Sequence, residues 1–211
     1  MSRRAGSVSE ETKMKLLQTA AEEFSEKGFA SSSLRQICQK AGVTTGALYF
    51  FFDNKENLFK EVLNLFTGPL LELIQEHYKS EEKEDLLEMM DSLQGEEEDV
   101  EAVLAILNKY YENETLGRVL MKNLGHPVVE EFFDSLADLA TAHYQKLIER
   151  IEEKFPRREP IDPFAVHWFA HLEIKAAMSL ILHGMDEEEA SKHVRGIVKI
   201  LRGGFISLIQ E

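Results

Sequence analysis

One cysteine, Cys38, stands in 211 residues. A lone thiol forms no internal disulfide and builds no cysteine zinc site, so Cys38 reads as a small buried side chain. No apolar run approaches the roughly 20 residues of a membrane span, and the polar start MSRRAGSVSEE has no signal-peptide core. The expected compartment is therefore the cytoplasm, with no membrane partner. Period-two alternation and hairpin turns are absent, which excludes a β-rich fold. No Gly-rich phosphate loop and no nucleophile elbow occur. None of the seven histidines has Glu three positions earlier, which removes the paired Glu-x-x-His motif of a di-iron bundle. The chain is expected to be no enzyme and to carry no cofactor and no metal.

Positive charge is scarce as well: 24 Lys and Arg face 38 Asp and Glu, a net charge of −14. The balance is uneven along the chain. Residues 1–60 hold nine basic and seven acidic side chains, a net of +2, and the remaining 15 and 31 give −16. Only the first segment can approach a polyanion without strong repulsion.

What the chain has is helical periodicity, with 44% apolar residues spread along its length. Met14, Leu17, Ala21 and Phe24 share one face of a first helix over 10–27, with Ser7 or Ser9 as its cap and Gly28 as its stop. Leu34, Ile37, Cys38 and Ala41 fall at i, i+3, i+4 and i+7 of a second helix between Ser32, as cap, and Gly42. Thr44 opens a third helix of about seven residues, and a fourth starts near Asn54. Further helical patterns cover 70–78, 85–93, 100–114, 128–155, 163–183 and 187–209. The breaks expected between them lie at Gly68-Pro69, in the acidic QGEEED from Gln94, at Gly125-His126-Pro127 and in PRREPIDP from Pro156.

Two helices joined by a tight turn at AGV, the second short and polar on one side, have the layout of a helix-turn-helix. Val43, Leu48 and Phe52 are expected to face its core, and Thr44, Thr45, Gly46, Tyr49 and Phe50 to face outward. A seven-residue helix with an internal Gly is unstable alone, because Gly costs about 1 kcal/mol relative to Ala. Its residues therefore serve something other than helix stability.

The stretch FASSSLRQICQKAGVTTGALYFFFDNKENLF, residues 29–59, resembles the DNA-binding signature of the TetR family of bacterial transcriptional regulators. The likeness covers about residues 9–60. It implies an all-α fold, with a three-helix helix-turn-helix DNA-binding domain over 1–60 and a larger helical effector-binding and dimerisation domain over 61–211. It further implies a homodimer through the last two helices, a double-stranded DNA operator, a small and largely apolar effector, and repression. A module that keeps the fold but acts through a protein partner is the alternative.

Carried onto this chain, the likeness assigns Thr44, Thr45 and Gly46 to the approach to bases or phosphates, Ser32 and Ser33 to a phosphate at the second helix, and Lys55 to another. Tyr49 offers its hydroxyl to the backbone, and the alternative for it is a core position. Arg35 and Lys40 are additional phosphate candidates. Arg3 and Arg4 read either as a basic arm for the minor groove or as a solvated tail. The chain departs from the family at Tyr49-Phe50-Phe51-Phe52, where the family has Tyr-His-Tyr-Phe, so Phe50 offers only apolar contact and Phe51 no phosphate hydrogen bond.

In the body, His167 and His171 lie at i, i+4, with Glu173 and His143 as possible neighbours. Among Phe164, Trp168, Phe169 and Leu172 they read as the polar lining of an apolar pocket, or as surface histidines, rather than as metal ligands. Tyr110, Phe133, Tyr144, His167, Trp168 and His171 are the expected effector-lining residues. The glycines of the last helices, among them Gly196, Gly203 and Gly204, suit close helix packing at an interface.

Overall fold

The computed structural model describes residues 2–82, 93–156 and 159–210, with the side chains of 2–8, 93–94 and 210 outside the description. Every regular element among the described residues is helical, which agrees with the all-α expectation. In chain order they are α1 (Ser2–Ser31), α2 (Leu34–Ala41), α3 (Thr45–Phe51), α4 (Lys55–Glu81), α5 (Leu93–Glu112), α6 (Glu114–Lys122), α7 (Pro127–Lys154), α8 (Pro163–Leu182) and α9 (Glu187–Gln210). The expected helix over 85–93 lies almost wholly outside the described residues. No helix among those described is long and apolar enough to cross a membrane.

The chain divides into two compact units. One comprises Met1–Pro69 with Asn113–Glu130, the other Leu70–Glu112 with Glu131–Glu211. The unit holding residues 1–60 thus continues to Pro69 and takes in a later segment.

In the first unit, α1 begins at Ser2, earlier than a cap at Ser7 or Ser9 allows. No proline interrupts its start, and a single Gly6 costs only about 1 kcal/mol. Gly28 (φ 74°, ψ 166°) breaks the helix where its stop was expected, in a backbone region that suits glycine. Leu16, Leu17, Ala20, Ala21 and Phe24 fill the core, whereas Met14 is 46% exposed. The buried stripe runs through Leu16 and Ala20, which turns Met14 outward. Asn123, at the end of α6, repairs the break in α1. Its Oδ1 accepts from Phe29 N at 2.7 Å and its Nδ2 donates to Val119 O at 2.6 Å. Phe24, Phe29, Phe59 and His126 pack around this point with ring centroids 4.3 to 6.1 Å apart. Burial holds the His126 imidazole below its usual range.

Two expected breaks are helical. Gly68-Pro69 lies inside α4, because proline removes one backbone hydrogen bond, and the carbonyl it deprives belongs to Leu65, which is exposed. The QGEEED segment belongs to α5. Carboxylates suit a helix N-terminus, and basic residues of α9 face them. Arg195 Nη1 lies 2.8 Å from Glu97 and 3.3 Å from Glu96, and Arg202 Nη1 lies 2.7 Å from Asp99. The second unit is held by two apolar clusters. Val100, Leu107, Leu180, Ala190, Val194 and Val198 join α5, α8 and α9. Leu147, Ile148, Ile151, Val166 and Ile209 join α7, α8 and α9.

Candidate nucleic-acid interface

The α2–α3 pair is built so that one face is fixed and the other left open. Ile37, Cys38 and Ala41 bury the inner face of α2, and Gly42 ends it in the left-handed region at φ 66°. Burial raises the Cys38 thiol, which makes it inert. Beneath the pair lies Glu23 of α1, fully buried, with Lys27 Nζ at 2.8 Å and Lys40 Nζ at 3.1 Å. Burial pushes its carboxyl up, but the two ammonium groups outweigh burial and hold it below its usual value. Lys40 therefore ties α2 to α1, and the phosphate role suggested for it competes with that ion pair.

On α3, Thr44 caps the helix, its Oγ1 accepting from Ala47 N at 3.1 Å. Leu48 and Phe52 are buried at 0% and 1% exposure, and they anchor a helix too short to stand alone. Thr44, Thr45 and Gly46 are exposed; Tyr49 is 57% and Phe50 77% exposed. Tyr49 is thus not a core residue. Phe51 is half-buried between Phe50 and Phe52, with ring centroids at 5.0 and 6.2 Å. A Cβ placed on Gly46 would meet only Thr44 Oγ1, at 3.8 Å. Nothing among the described residues requires glycine there.

The remaining candidates divide. Arg35 is exposed on α2. Ser33, not Ser32, is the N-cap of α2, and its side chain makes no capping bond. Ser32 is buried and its Oγ donates to Phe29 O at 2.7 Å, because the broken end of α1 leaves that carbonyl needing a donor. Lys55 serves the same helix end. Its Nζ donates to Ser32 O at 2.7 Å and lies 4.6 Å from the centroid of the Phe29 ring, and burial lowers its pKa. The hydroxyl of Ser32 and the ammonium of Lys55 are therefore engaged inside the protein. Asn54 caps α4, its Oδ1 accepting from Asn57 N at 2.8 Å. The backbone of Arg3 and Arg4 falls within α1, and their side chains lie outside the described residues.

In the second unit the expected effector-lining residues divide between exposed and half-buried positions. Trp168 is 57% exposed on α8 together with Phe164 at 70% and Leu172 at 38%, a stripe at i, i+4, i+8 opposite the buried Val166, Phe169 and Ala170. Tyr110 and Phe133 are half-buried and pack their rings on Tyr111 and Phe132. His167 and His171 have their Nε2 atoms 3.1 Å apart, and Thr141 Oγ1 lies 3.2 Å from His167 Nδ1. Tyr144 donates to Glu173 Oε2 at 2.9 Å. Burial, opposed by that hydrogen bond, pushes Glu173 up to about 7. An open groove of about 370 Å³ between α8 and α9, lined by Leu180, His183, Met185, His193, Ile197 and Ile200 among others, contains none of the six.

Sequence reasoning missed a polar centre around Glu81. His143, 3% exposed, has Nε2 2.6 Å from Glu81 Oε2 and its ring stacked on Tyr78 at 4.0 Å and 7°. His143 Nε2 and Glu81 Oε2 thus form a buried ion pair, and Nδ1 of the same ring has no hydrogen-bond partner among the described residues. His77 Nε2 lies 3.6 Å from Glu81 Oε1 and 4.0 Å from Asp99 Oδ1. Burial raises the Glu81 carboxyl, but His143 and His77 outweigh it and hold it low; Asp99 is pushed up to about 6 by burial and by Glu81, against Arg202. The i, i+4 spacing of His77 and Glu81 was the available signal.

Residues 16–62 match the family model described as bacterial regulatory proteins, tetR family. The chain is 38% identical over 77 residues to the HTH-type transcriptional regulator AcrR of Shigella flexneri, an alignment covering 36% of each protein. It thus spans about a third of the length of the curated relatives it matches. Its fold resembles a transcriptional regulator of Aquifex aeolicus, with TM-score 0.61, 19% identity and coverage of 90% of this chain and 98% of that one. It also resembles the transcriptional regulator FadR of Bacillus subtilis in complex with stearoyl-CoA, with TM-score 0.65, 16% identity and coverage of 90% and 98%.

Proposed function

Proceeding from a chain that belongs, through its N-terminal domain, to the TetR family, we propose that it is a DNA-binding transcriptional repressor, acting as a homodimer on a palindromic operator. The observation that carries this reading is the outer face of α3. Thr44, Thr45, Gly46, Tyr49 and Phe50 stand exposed on a helix held only from behind, and Gly46 has no intramolecular reason to be glycine. Such a helix inserts into a major groove, where threonine hydroxyls read polar edges and Phe50 offers an apolar surface to a thymine methyl. Arg35 and the amide groups at the start of α2 take neighbouring phosphates.

The dimer reading rests on the exposed stripe Phe164, Trp168 and Leu172 of α8 with Leu182 and, on α9, Ile200 at 75% exposure. A Cβ on Gly196, Gly203 or Gly204 would meet nothing within 4 Å among the described residues, so α9 leaves room for another backbone. Two such subunits set half-sites of an inverted repeat about one helical turn, roughly 34 Å, apart. An apolar effector, of the chemistry held by the fold neighbour crystallised with stearoyl-CoA, enters the second unit near Tyr144, His167 and His171. Its binding acts on α4, with Pro69 as the hinge.

Selection of bound fragments from random DNA at physiological salt tests this. An enriched palindrome released by fatty or otherwise apolar ligands is expected. Uniform, weak retention of all sequences sinks the operator reading and favours the partner-binding module.

A further inference from the structure

We infer that His77, Glu81, Asp99 and His143 form a site for one divalent transition cation, of the zinc, nickel or cobalt class, inside the second unit. Ligand atoms of His77, Glu81 and Asp99 already lie within 4.8 Å of one another. Donors around a tetrahedral cation at about 2.0–2.1 Å stand roughly 3.4 Å apart. The His77–Glu81 and His77–Asp99 separations of 3.6 and 4.0 Å are close to that spacing. The fourth donor is independent of this cluster. His143 is buried on α7, its ring held by stacking on Tyr78, and its Nε2 lies 2.6 Å from Glu81 Oε2, an ion-pair contact it would exchange for a cation held by that carboxylate.

The donor set is two imidazoles and two carboxylates, with no thiolate. This selects borderline divalent cations over Cu(I), and over Mg²⁺ and Ca²⁺, which prefer all-oxygen shells. Arg202 Nη1 holds Asp99 Oδ2 at 2.7 Å and leaves Oδ1 turned toward His77, the kind of outer contact that orients a ligating carboxylate. His77 and Glu81 come from α4, Asp99 from α5 and His143 from α7, so a cation here would tie three helices together. The competing account is a purely structural ion network in which Arg202, His77 and His143 supply the compensating charge.

Titrating EDTA-treated full-length protein with ZnCl₂, NiCl₂, CoCl₂ and MgCl₂ separates the two. Calorimetry should show one Zn²⁺ or Ni²⁺ per chain at micromolar or tighter Kd and no Mg²⁺ uptake. Bound Co²⁺ should give visible bands of low-symmetry coordination, and Zn²⁺ should raise the Tm. Glu81→Gln and His77→Ala should each weaken uptake at least 10-fold and remove the Tm shift, whereas His171→Ala should change neither. Asp99→Asn, read by the Co²⁺ spectrum, serves if a variant melts early. Absence of stoichiometric uptake overturns the inference, as does uptake insensitive to Glu81→Gln and His77→Ala. A regulatory consequence rests on the repressor reading: Zn²⁺ should change affinity for the selected DNA at least fivefold. Failure to bind any DNA specifically would sink that reading and leave the cation site standing. Unchanged DNA affinity with intact uptake would remove only the consequence.

Discussion

On α3, Tyr49 and Phe50 expose aromatic surface to water while Leu48 and Phe52, a few positions away, are sealed in a core. Around Glu81 the mismatch is reversed, with His143, Glu81 and Asp99 drawn into the second unit among Tyr78 and neighbouring helices. An exposed aromatic costs little, so its presence asks only what it touches when a partner arrives. A buried ionisable group costs several kcal/mol unless it is compensated, so its presence asks what compensates it. The first region is a surface awaiting a macromolecule; the second is an interior cluster in which the compensating charge decides the behaviour.

The largest expected effect lies on the α3 side. Replacing both Tyr49 and Phe50 by Ala should cost about 100-fold in specific DNA affinity, roughly 3 kcal/mol, while the unfolding free energy moves by less than about 0.5 kcal/mol. Loss of stability in a denaturant titration would mean that the two rings are structural after all. Next in size is Glu23→Ala, which should destabilise the first unit by about 2 kcal/mol by removing the buried acceptor shared by Lys27 and Lys40, whose partly exposed ammonium groups return to water. The Glu23 carboxyl is depressed in the fold, so its stabilisation exists above the unfolded value and is lost as pH falls through the folded one. A variant with an unchanged melting curve would remove this staple from the account.

The second unit supplies the reverse pH dependence. Glu173 keeps its proton in the fold up to about 7, against an ordinary value of 4.5, so the folded state holds one more proton between those limits. The contribution of Glu173 to stability therefore falls as pH rises from about 4.5 to 7 and levels off above. Glu173→Gln should flatten that slope and raise stability at pH 8 by on the order of 2 kcal/mol, since one pK unit corresponds to about 1.4 kcal/mol. Urea titrations at pH 5 and 8 decide it. Gly46→Ala should stabilise the protein by up to about 1 kcal/mol, because helix propensity improves and the space is open, yet weaken DNA binding. Gain in both would end the close-approach argument. The smallest effect concerns salt. Arg35→Ala should reduce the slope of log K against log salt by about one. Lys55→Ala should leave it nearly unchanged, since that ammonium is already engaged with Ser32 O.

Legibility followed the range of the interactions involved. The helix-turn-helix was readable because its landmarks are local: Gly42 after α2, Thr44 as cap, Leu48 and Phe52 at core spacing, and Asn54 before α4. Helix α6 was missed, although Leu116, Val119 and Leu120 carry helical spacing, because its attachment runs through Asn123 to Phe29, 94 positions away. The helical QGEEED segment was misread for the same reason, since Arg195 and Arg202 lie about a hundred positions from the carboxylates they face. For Ser32 and Lys55 the likeness to a family assigned an outward role, and the broken end of α1 engages both inside the protein.

By itself the sequence determined that the chain is helical, that its polyanion-tolerant segment is the first 60 residues, and that α3 is too short and too glycine-bearing to exist for its own stability. These follow from periodicity, charge and propensity, which act within a few residues. Tertiary structure alone decided which polar groups are occupied and which are open. It closed Lys40 onto Glu23 and Lys55 onto α1, turned Trp168 outward, and gathered His77, Glu81, Asp99 and His143 from three helices. Burial and partner distance set the free energy of a charge, and neither exists until distant segments have packed.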